Sequence, residues 1–259
     1  MNDFKPTYIR SLQDKDNVER TRNWIWILEV YTSLSLTKRS DHLPALSGLA
    51  RQAQEAGWGR YIAGFWRNEL EYLTCWEIKD QMKAERSSTY LGPSWSWVNV
   101  VGPITYAGYI RESFRENTQI LIEIKEVDAQ TGIDPTGSVL DAYLRISGRC
   151  LDASLSENNK LTTMDGDVYE EFIPDMPISV QDELRVKLVP WCLTADDTGG
   201  HLLVMVLLSA KERVEAIFER SGAYERLGIL RVKEEGSEFR DVQKFAWWVA
   251  AKAENIYLV

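Results

Sequence analysis

Two tryptophans at a spacing of two, in the segment Pro93-Ser94-Trp95-Ser96-Trp97, constrain this chain more than any other feature. In a strand, side chains two positions apart project from the same face. Indole rings are seldom left in water, so that face must meet a hydrophobic core, a ligand or a partner protein. The segment therefore predicts a strand over 95–100 that belongs to an aromatic part of the fold.

Three amphipathic patterns lie before this segment, and each predicts a helix. The first pattern consists of Trp24, Ile27, Leu28, Tyr31 and Leu34. The second helix is expected to start after Ser40 or Asp41, where either side chain can cap it, with Pro44 in its first turn and Gly57 at its end. Its inward residues are expected to be Leu43, Leu46, Ala50 and Ala53. The third helix is expected over 61–79, with apolar positions at Ile62, Phe65, Trp66, Leu70, Leu73 and Trp76.

Beyond residue 100 the pattern changes to short apolar or alternating runs, which predict strands. A polar loop over 80–89 precedes this part, and a second loop is expected over 131–137. The run 202–208 is apolar without interruption, so we expect a strand that is covered on both faces. Further strands are expected at 120–124, 142–146, 184–188, 224–232 and 256–259, and a last helix at 239–251.

This order of elements predicts an α+β fold. Aromatic-rich N-terminal helices are expected to pack on a mainly antiparallel β-sheet or barrel, and a C-terminal helix is expected near the end. The chain is expected to be a single compact unit over 1–259, with a helical part over 17–90 and a mainly β part over 91–259 that includes the last helix.

Composition narrows the function classes. The formal net charge of -9 disfavours binding to nucleic acid or to an anionic membrane surface, because both require a concentrated basic face. The sequence has no long uncharged apolar run, and its first residues lack the basic and apolar regions of a secretion signal, so we expect a cytoplasmic protein. Cys75, Cys150 and Cys192 are far apart, so we expect buried free thiols without a metal site. We also expect no cofactor, because no cofactor-binding motif is present.

Candidate catalytic residues are few. No GxSxG, Walker, GxGxxG or HExxH pattern occurs. His42 is expected in the first turn of the second helix, where the helix dipole favours a neutral imidazole that can act as a base. The alternative is that His42 is a polar surface residue near the cap of this helix. His201 follows two glycines at the start of an apolar strand, which favours a hydrogen bond at the strand end.

Glu69 and Arg67 are further candidates. Glu69 falls among the inward positions of the expected third helix, near Trp66 and Trp76. Loss of water there would raise the pKa of the Glu69 carboxyl toward that of a working acid. The alternative is that Glu69 pairs with an arginine or faces water. Arg67, like His42, is a candidate for orienting a substrate or handling a proton.

The chain has ten tryptophans and eleven tyrosines, which exceeds what a core requires. Most of them can be core residues, but a cluster of such rings can also line a concave site for a planar or apolar molecule. The candidate substrate-binding residues are Trp66, Trp76, Trp95, Trp97, Ser94 and Ser96.

Several segments in combination resemble the region downstream of the conserved domain in fungal heterokaryon-incompatibility (HET) proteins. They are SDHLPALSGLA at 40–50, YIAGFW at 61–66, PSWSW at 93–97, YERLG at 224–228 and IYLV at 256–259. The resemblance implies a fungal source and this C-terminal architecture. The N-terminal HET domain is not found in the sequence, so the resemblance does not imply cell-death activity. It also supplies no catalytic residues for this region.

Two function classes remain. In the first, the protein binds a small apolar or aromatic molecule and acts as a cofactor-independent cyclase or isomerase of fungal secondary metabolism. Trp66, Trp95 and Trp97 would then be pocket walls and Glu69 the acid or base, because such catalysis requires mainly an enclosure that holds one substrate conformer. In the second, the protein is a noncatalytic regulatory or protein-interaction domain. A deep cavity bordered by these residues favours the first class, and indoles packed wholly against protein favour the second.

Overall fold

The computed structural model describes residues 4–34, 38–107, 117–179, 183–196, 199–210, 223–235 and 251–259. Within these ranges the chain is a mixture of helices and strands, as expected, and most of the regular structure is sheet. The helices there are α1 (Phe4–Gln13), α2 (Asn17–Thr32), α3 (His42–Glu55) and α4 (Leu70–Leu73). Helix α1 was not predicted. None of these helices is both long enough and apolar enough to cross a membrane.

Helices α2 and α3 lie where the spacing of their apolar residues predicts helices. The buried residues include Trp24, Ile27 and Leu28 in α2, and Leu43, Leu46, Ala50 and Ala53 in α3. Asp16 caps α2, because its side chain accepts a hydrogen bond from the backbone N–H of Val18 at 2.8 Å. The expected cap of α3 is wrong. A 3-10 turn over Arg39–Asp41 leads into α3, and Asp41 makes no capping hydrogen bond.

The single helix expected over 61–79 is also wrong. In its place are the hairpin β1 (Tyr61–Ile62) and β2 (Phe65–Trp66), a 3-10 turn over Arg67–Glu69, α4 and the strand β3 (Glu77–Ile78). The hairpin turn holds Ala63 and Gly64 at φ values of 47° and 95°, in the region that glycine adopts most readily. A Cβ atom at position 64 would lie 2.5 Å from Nε1 of Trp97. Glycine is therefore required where the hairpin meets this indole.

The strand expected over 95–100 is wrong for most of its length. The chain forms a 3-10 turn over Trp97–Asn99 and extends only afterwards, in β5 (Val100–Val101). Ser96 stabilises this turn, because its Oγ accepts a hydrogen bond from the N–H of Val98 at 3.3 Å. Trp95 and Trp97 consequently contact different neighbours instead of sharing one face of a strand.

Short strand pairs complete the first part of the chain. Strand β3 pairs with β6 (Ile104–Thr105), and β4 (Glu85–Arg86) pairs with β5. Strand β4 and a 3-10 turn over Gln81–Lys83 interrupt the loop expected over 80–89.

The remaining strands form one large sheet, which is mainly antiparallel as expected. They are β7 (Thr118–Ile120), β8 (Glu123–Thr131), β9 (Val139–Leu155), β10 (Leu161–Thr163), β11 (Val168–Tyr169), β12 (Phe172–Pro174), β13 (Leu184–Asp196), β14 (Gly199–Ser209), β15 (Ala223–Glu235) and β16 (Lys252–Leu258). Within the described ranges, only the pair β15 and β16 is parallel. Strand β9 pairs with β16, β16 with β15, β15 with β14, β14 with β13, and β13 with β9 again. These five strands therefore form a closed ring, which fits the barrel alternative.

Two irregularities shape the strands of this ring. Strand β13 has a bulge at Trp191, where its register with β14 shifts. Strand β15 passes close to β12 at Gly228, where a Cβ atom would clash with the carbonyl oxygen of Ile173. Strand β14 lies between β13 and β15 in the sheet. It is covered on both faces, as its apolar run predicts, because residues 201–207 are all buried.

The hydrophobic core joins the helices to the sheet. One cluster of buried side chains includes residues of α2, α3, the β1–β2 hairpin, β9, β13 and β14, and a second cluster lies mainly within the sheet. The helix expected at 239–251 lies outside the described residues except for Ala251, which precedes β16 and is not helical. The closing strand expected at 256–259 is part of β16 up to Leu258.

Candidate functional site

Three segments of the first part meet at the turn of the β1–β2 hairpin. The indole N–H of Trp24 donates a hydrogen bond to the carbonyl oxygen of Gly64 at 3.0 Å, and the indole N–H of Trp97 approaches the same oxygen at 3.5 Å. Ser96 Oγ donates to the carbonyl oxygen of Ala63 at 2.6 Å. These bonds fix α2, the hairpin and the segment around Trp97 to one another.

His42 reaches this cluster from the start of α3. Its ring stacks on Trp97, with ring centroids 6.2 Å apart and planes inclined by 22°. Tyr31 meets Trp97 edge-on at 5.8 Å and donates its hydroxyl to the backbone oxygen of His42 at 2.7 Å. Burial, with a smaller effect of Asp41, raises the pKa of Tyr31 to about 12, so its hydroxyl remains a donor at neutral pH.

A cleft of about 350 Å³ opens beside these rings, and we call it the His42–Trp97 cleft. It lies between the end of α2, the 3-10 turn before α3 and the segment from β5 to Pro103. Its volume is at the lower end of the range of about 300–1,000 Å³ that is usual for small-molecule sites. Its walls include Tyr31, Thr32, Arg39, His42 and Val101, and it borders Trp97, whose side chain is 0% exposed.

The surroundings of His42 favour the neutral form of its imidazole. Partial burial and then the positive charge of Arg39 lower its pKa, while Asp41 acts in the opposite direction. Nδ1 is buried without a hydrogen-bond partner. For Nε2 to accept a proton, the neutral ring must carry its own proton on Nδ1, where that N–H has no acceptor. Nε2 is therefore the nitrogen that remains for bonding a ligand.

Arg39 supplies a positive charge to the cleft. Its Nη2 atom pairs with Oε2 of Glu85 at 2.7 Å, and the two side chains are 44% and 67% exposed. An exposed ion pair of this kind contributes only about 0–1 kcal/mol to stability. An anionic group of a ligand can therefore replace the carboxylate of Glu85 with little loss of stability.

Two of the other tryptophans expected to line a pocket are packed against protein. Trp66 contacts Trp24 and Trp58 edge-on, with ring centroids 5.2 and 5.4 Å away. Trp95 stacks on Phe65 at 6.3 Å. Neither Trp66 nor Trp95 lines the His42–Trp97 cleft.

Trp76 and Ser94 belong to a buried junction between the first part of the chain and the sheet. The ring of Trp76 lies 3.8 Å from the guanidinium carbon of Arg226. Ser94 Oγ accepts a hydrogen bond from the N–H of Arg226 at 2.9 Å and donates one to the backbone oxygen of Val259. Ser94 and Ser96 therefore bond mainly to backbone groups, and neither lines the cleft.

Glu69 and Arg67 also lie outside the His42–Trp97 cleft. Glu69 is buried in the 3-10 turn that follows the hairpin, and Arg67 is half-buried in the same turn. Glu69 borders a depression of about 10 Å³ together with Trp58 and Trp66, which has room for about one water molecule. His201 lies within β14 and does not line the cleft either.

The cleft contains residues that sequence reasoning missed. Arg39 follows Lys38 and precedes Asp41, and such a mixture of charges is typical of a solvated surface. Val101 was expected only to follow the end of a strand. The proximity of Arg39 to the histidine candidate His42 was the one sequence feature that pointed to it. Within the described ranges, no group of three or more His, Cys, Asp or Glu side chains is placed to hold a metal ion.

The five segments that resemble HET proteins are connected in space. His42 stacks on Trp97, Trp97 approaches the oxygen of Gly64, and Ser94 bonds to both Arg226 and Val259. The chain matches no protein-family model, no curated protein and no solved structure. The relationship to HET proteins therefore stays a prediction.

Proposed function

We propose that the protein binds a small apolar or aromatic molecule in the His42–Trp97 cleft and acts on it as a cofactor-independent cyclase or isomerase. The proposal rests on one observation: the imidazole of His42 and the guanidinium of Arg39 lie on the walls of the same cleft, and the imidazole stacks on the buried indole of Trp97. The substrate that these groups suit has an aromatic or unsaturated apolar part and one anionic or strongly polar group.

The apolar ring of Trp97 supports one side of the cleft in this proposal and is itself fully buried. Its ring is held between neighbours, because Tyr31 meets it edge-on and His42 stacks on it, and its N–H approaches the oxygen of Gly64. Val101 adds a second apolar surface from β5. A rigid enclosure holds a flexible substrate in one conformer, which is the main requirement of ring closure or isomerisation.

His42 is suited to brief proton transfer and to hydrogen bonding. A neutral imidazole accepts a proton at Nε2 in a transition state. Nothing bonded to Nδ1 stabilises the resulting cation, so His42 is a weak base. Cyclisation or isomerisation of an already activated substrate needs only such modest assistance. Arg39 would stabilise negative charge that develops on the substrate, as a fixed cation does in many active sites.

Glu69 and Arg67 are not part of the proposed machinery, because they lie outside the cleft. A cytoplasmic location belongs to the proposal. It is supported by Cys75, Cys150 and Cys192, which are all free thiols, because free thiols are typical of reducing compartments. A fungal source is supported only by the resemblance of the five segments to HET proteins.

The test is conversion of a metabolite by the purified protein. The protein is incubated with an extract of cells that lack its gene, and substrate loss and product formation are followed by mass spectrometry. Val101→Phe fills the cleft and should abolish both ligand retention and conversion. His42→Gln should retain most of the ligand but lose most of the conversion. Leu140→Phe adds the same ring to an exposed position of β9 and should behave as the wild type.

The variants also separate the competing explanations. Conversion that is lost in Glu69→Gln but kept in His42→Gln would contradict the proposed cleft and place the chemistry beside Trp66. Wild-type protein that neither retains nor converts any component of the extract would contradict the enzymatic proposal. That outcome would favour a noncatalytic regulatory or protein-interaction domain.

A further inference from the structure

Cys75 and Cys192 meet inside the molecule although 117 positions separate them in the chain. Their Sγ atoms are 4.0 Å apart. Both residues are buried, with exposures of 1% and 0%. Cys75 lies in the turn after α4, and Cys192 follows the bulge of β13 at Trp191. The two thiols thus face each other across the junction between the first part of the chain and the sheet.

We propose that Cys75 and Cys192 form a redox modification site, in which a reversible disulfide joins the turn after α4 to β13. A disulfide requires sulfur atoms about 2.05 Å apart, so the two sulfurs must approach by about 2 Å. Neither cysteine lies within a regular helix, and Cys192 adjoins a bulge in its strand. Cys192 is paired with Leu203 and Ile120, so the turn that holds Cys75, which belongs to no strand, is the part that must move.

Hydrogen bonds around the pair hold the two elements together before any oxidation. The indole N–H of Trp191 donates to the backbone oxygen of Glu71 at 2.7 Å, and Sγ of Cys75 approaches the same oxygen at 3.4 Å. The guanidinium of Arg226 donates to the backbone oxygens on either side of Cys75. Folding therefore brings the two thiols together, so that their reaction resembles an intramolecular step with a high effective concentration.

Hydrogen peroxide is the oxidant that the proposal names. The thiolate of one cysteine attacks a peroxide oxygen, which gives a sulfenic acid and releases hydroxide. The second thiol then attacks the sulfenic sulfur, the S–S bond forms, and its proton leaves with the hydroxyl group as water. In total, two thiols and one hydrogen peroxide give one disulfide and two water molecules.

The surroundings of Cys75 make this reaction slow. The hydrogen bond with Cys192 and then burial raise the pKa of the Cys75 thiol. Only the thiolate reacts with peroxide, and it is scarce at neutral pH when the pKa is raised. The pair therefore suits a response to sustained oxidation. Cys150 provides an internal comparison, because it is also buried and burial raises its pKa to about 12.

The experiment maps disulfides in the folded protein. Reduced protein is treated with hydrogen peroxide, the remaining thiols are alkylated, and the protein is digested without reductant for mass spectrometry. We expect a peptide pair that links Cys75 to Cys192, an alkylated Cys150, and an intact mass lower by two hydrogens. Dithiothreitol should reverse these changes. The oxidised protein should also unfold at a higher temperature, because the bond closes a long loop.

Two variants complete the test. Cys150→Ser should form the same crosslink as the wild type, and Cys192→Ser should form none. A crosslink that involves Cys150, or oxidation of Cys75 to a sulfinic acid without any disulfide, would overturn the proposal. The proposal would also be overturned if all three cysteines of the folded protein are still alkylated after a peroxide treatment that readily oxidises the protein when it is unfolded in guanidinium chloride. The mapping of wild-type protein does not depend on whether Cys192→Ser folds.

Discussion

The guanidinium of Arg226 is bound by both carboxylate oxygens of Asp175, at 2.8 and 2.9 Å, and both side chains are buried. The same guanidinium donates to the backbone oxygens of Thr74 and Trp76 and lies against the ring of Trp76. Removing an ion pair from water is unfavourable, and only complete hydrogen bonding offsets that loss. The pair with Asp175 therefore positions the guanidinium of Arg226, whose hydrogen bonds to Thr74 and Trp76 join the first part of the chain to β15.

Arg226→Met should strongly destabilise the protein, because it leaves the carboxylate of Asp175 buried without a counter-ion. The expected loss is about 3–5 kcal/mol in the free energy of unfolding, measured by urea denaturation. Arg226→Lys should recover only part of it, since an ammonium group cannot form the bidentate bond. The double variant Arg226→Met with Asp175→Asn should be more stable than Arg226→Met alone. A double variant that is less stable would contradict the electrostatic explanation.

Gly64→Ala should destabilise the β1–β2 hairpin. The new Cβ atom would lie 2.5 Å from Nε1 of Trp97, and φ at position 64 is 95°. Backbone strain of this kind costs about 1–3 kcal/mol, and the clash adds to it. Gly48→Ala is the matched control, because nothing lies within 4 Å of the new Cβ atom in α3. The free energy of unfolding of this control, measured by thermal denaturation, should exceed that of the wild type by about 0.5–1 kcal/mol. Equal effects of the two substitutions would be inconsistent with the close contact.

Parts of the fold were predictable because one buried face leaves a regular pattern. Helix α3 buries Leu43, Leu46, Ala50 and Ala53 on one side, and β14 is apolar over 202–208 because both of its faces are covered. The stretch 61–79 has no exposed face of that kind. Its apolar residues are buried in a hairpin, a turn and a short helix, so their spacing does not report a helix.

The candidate site was harder to predict, because its walls come from three separate segments. His42 and Trp97 were identified as candidates; His42 lines the cleft, whereas Trp97 only borders it as a fully buried ring. Trp95 and Trp97 were expected on one face of a strand, but Trp95 lies in a turn closed by the hydrogen bond from the N–H of Ser96 to the oxygen of Pro93, and Trp97 begins a 3-10 turn. Tertiary contacts such as the one between Trp97 and Gly64 determine how each ring is covered, and local patterns do not encode them.

His42 should make stability depend on pH in a defined direction. Its pKa is lowered in the folded state from an ordinary value of 6.5. When the pH falls through 6.5, the unfolded chain therefore binds a proton that the folded protein does not, and the free energy of unfolding decreases. Relative to His42→Gln, the wild type should lose stability between pH 7.5 and 5.5 in urea denaturation. A difference that is constant, or that grows in favour of the wild type in acid, would contradict a lowered pKa.

Glu85→Gln and Arg39→Gln should change the binding of an aromatic carboxylate in opposite directions. Benzoate is a suitable probe, because it is planar and carries one carboxylate that competes with Glu85 for the guanidinium of Arg39. Removing the competitor should tighten binding by up to about fivefold, which corresponds to the upper value of about 1 kcal/mol for an exposed ion pair. Arg39→Gln should weaken binding, as should added salt.

Asp80→Asn controls for net charge in this titration, because it removes the same charge from a separate exposed pair with Lys83. Both Glu85→Gln and Asp80→Asn make the net charge of the protein less negative by one unit, but only Glu85→Gln frees the guanidinium of Arg39 from its ion pair. Calorimetric titration should therefore show tighter benzoate binding for Glu85→Gln alone. If Asp80→Asn tightens binding equally, the effect comes from the overall charge of the protein, and Arg39 does not recognise the carboxylate.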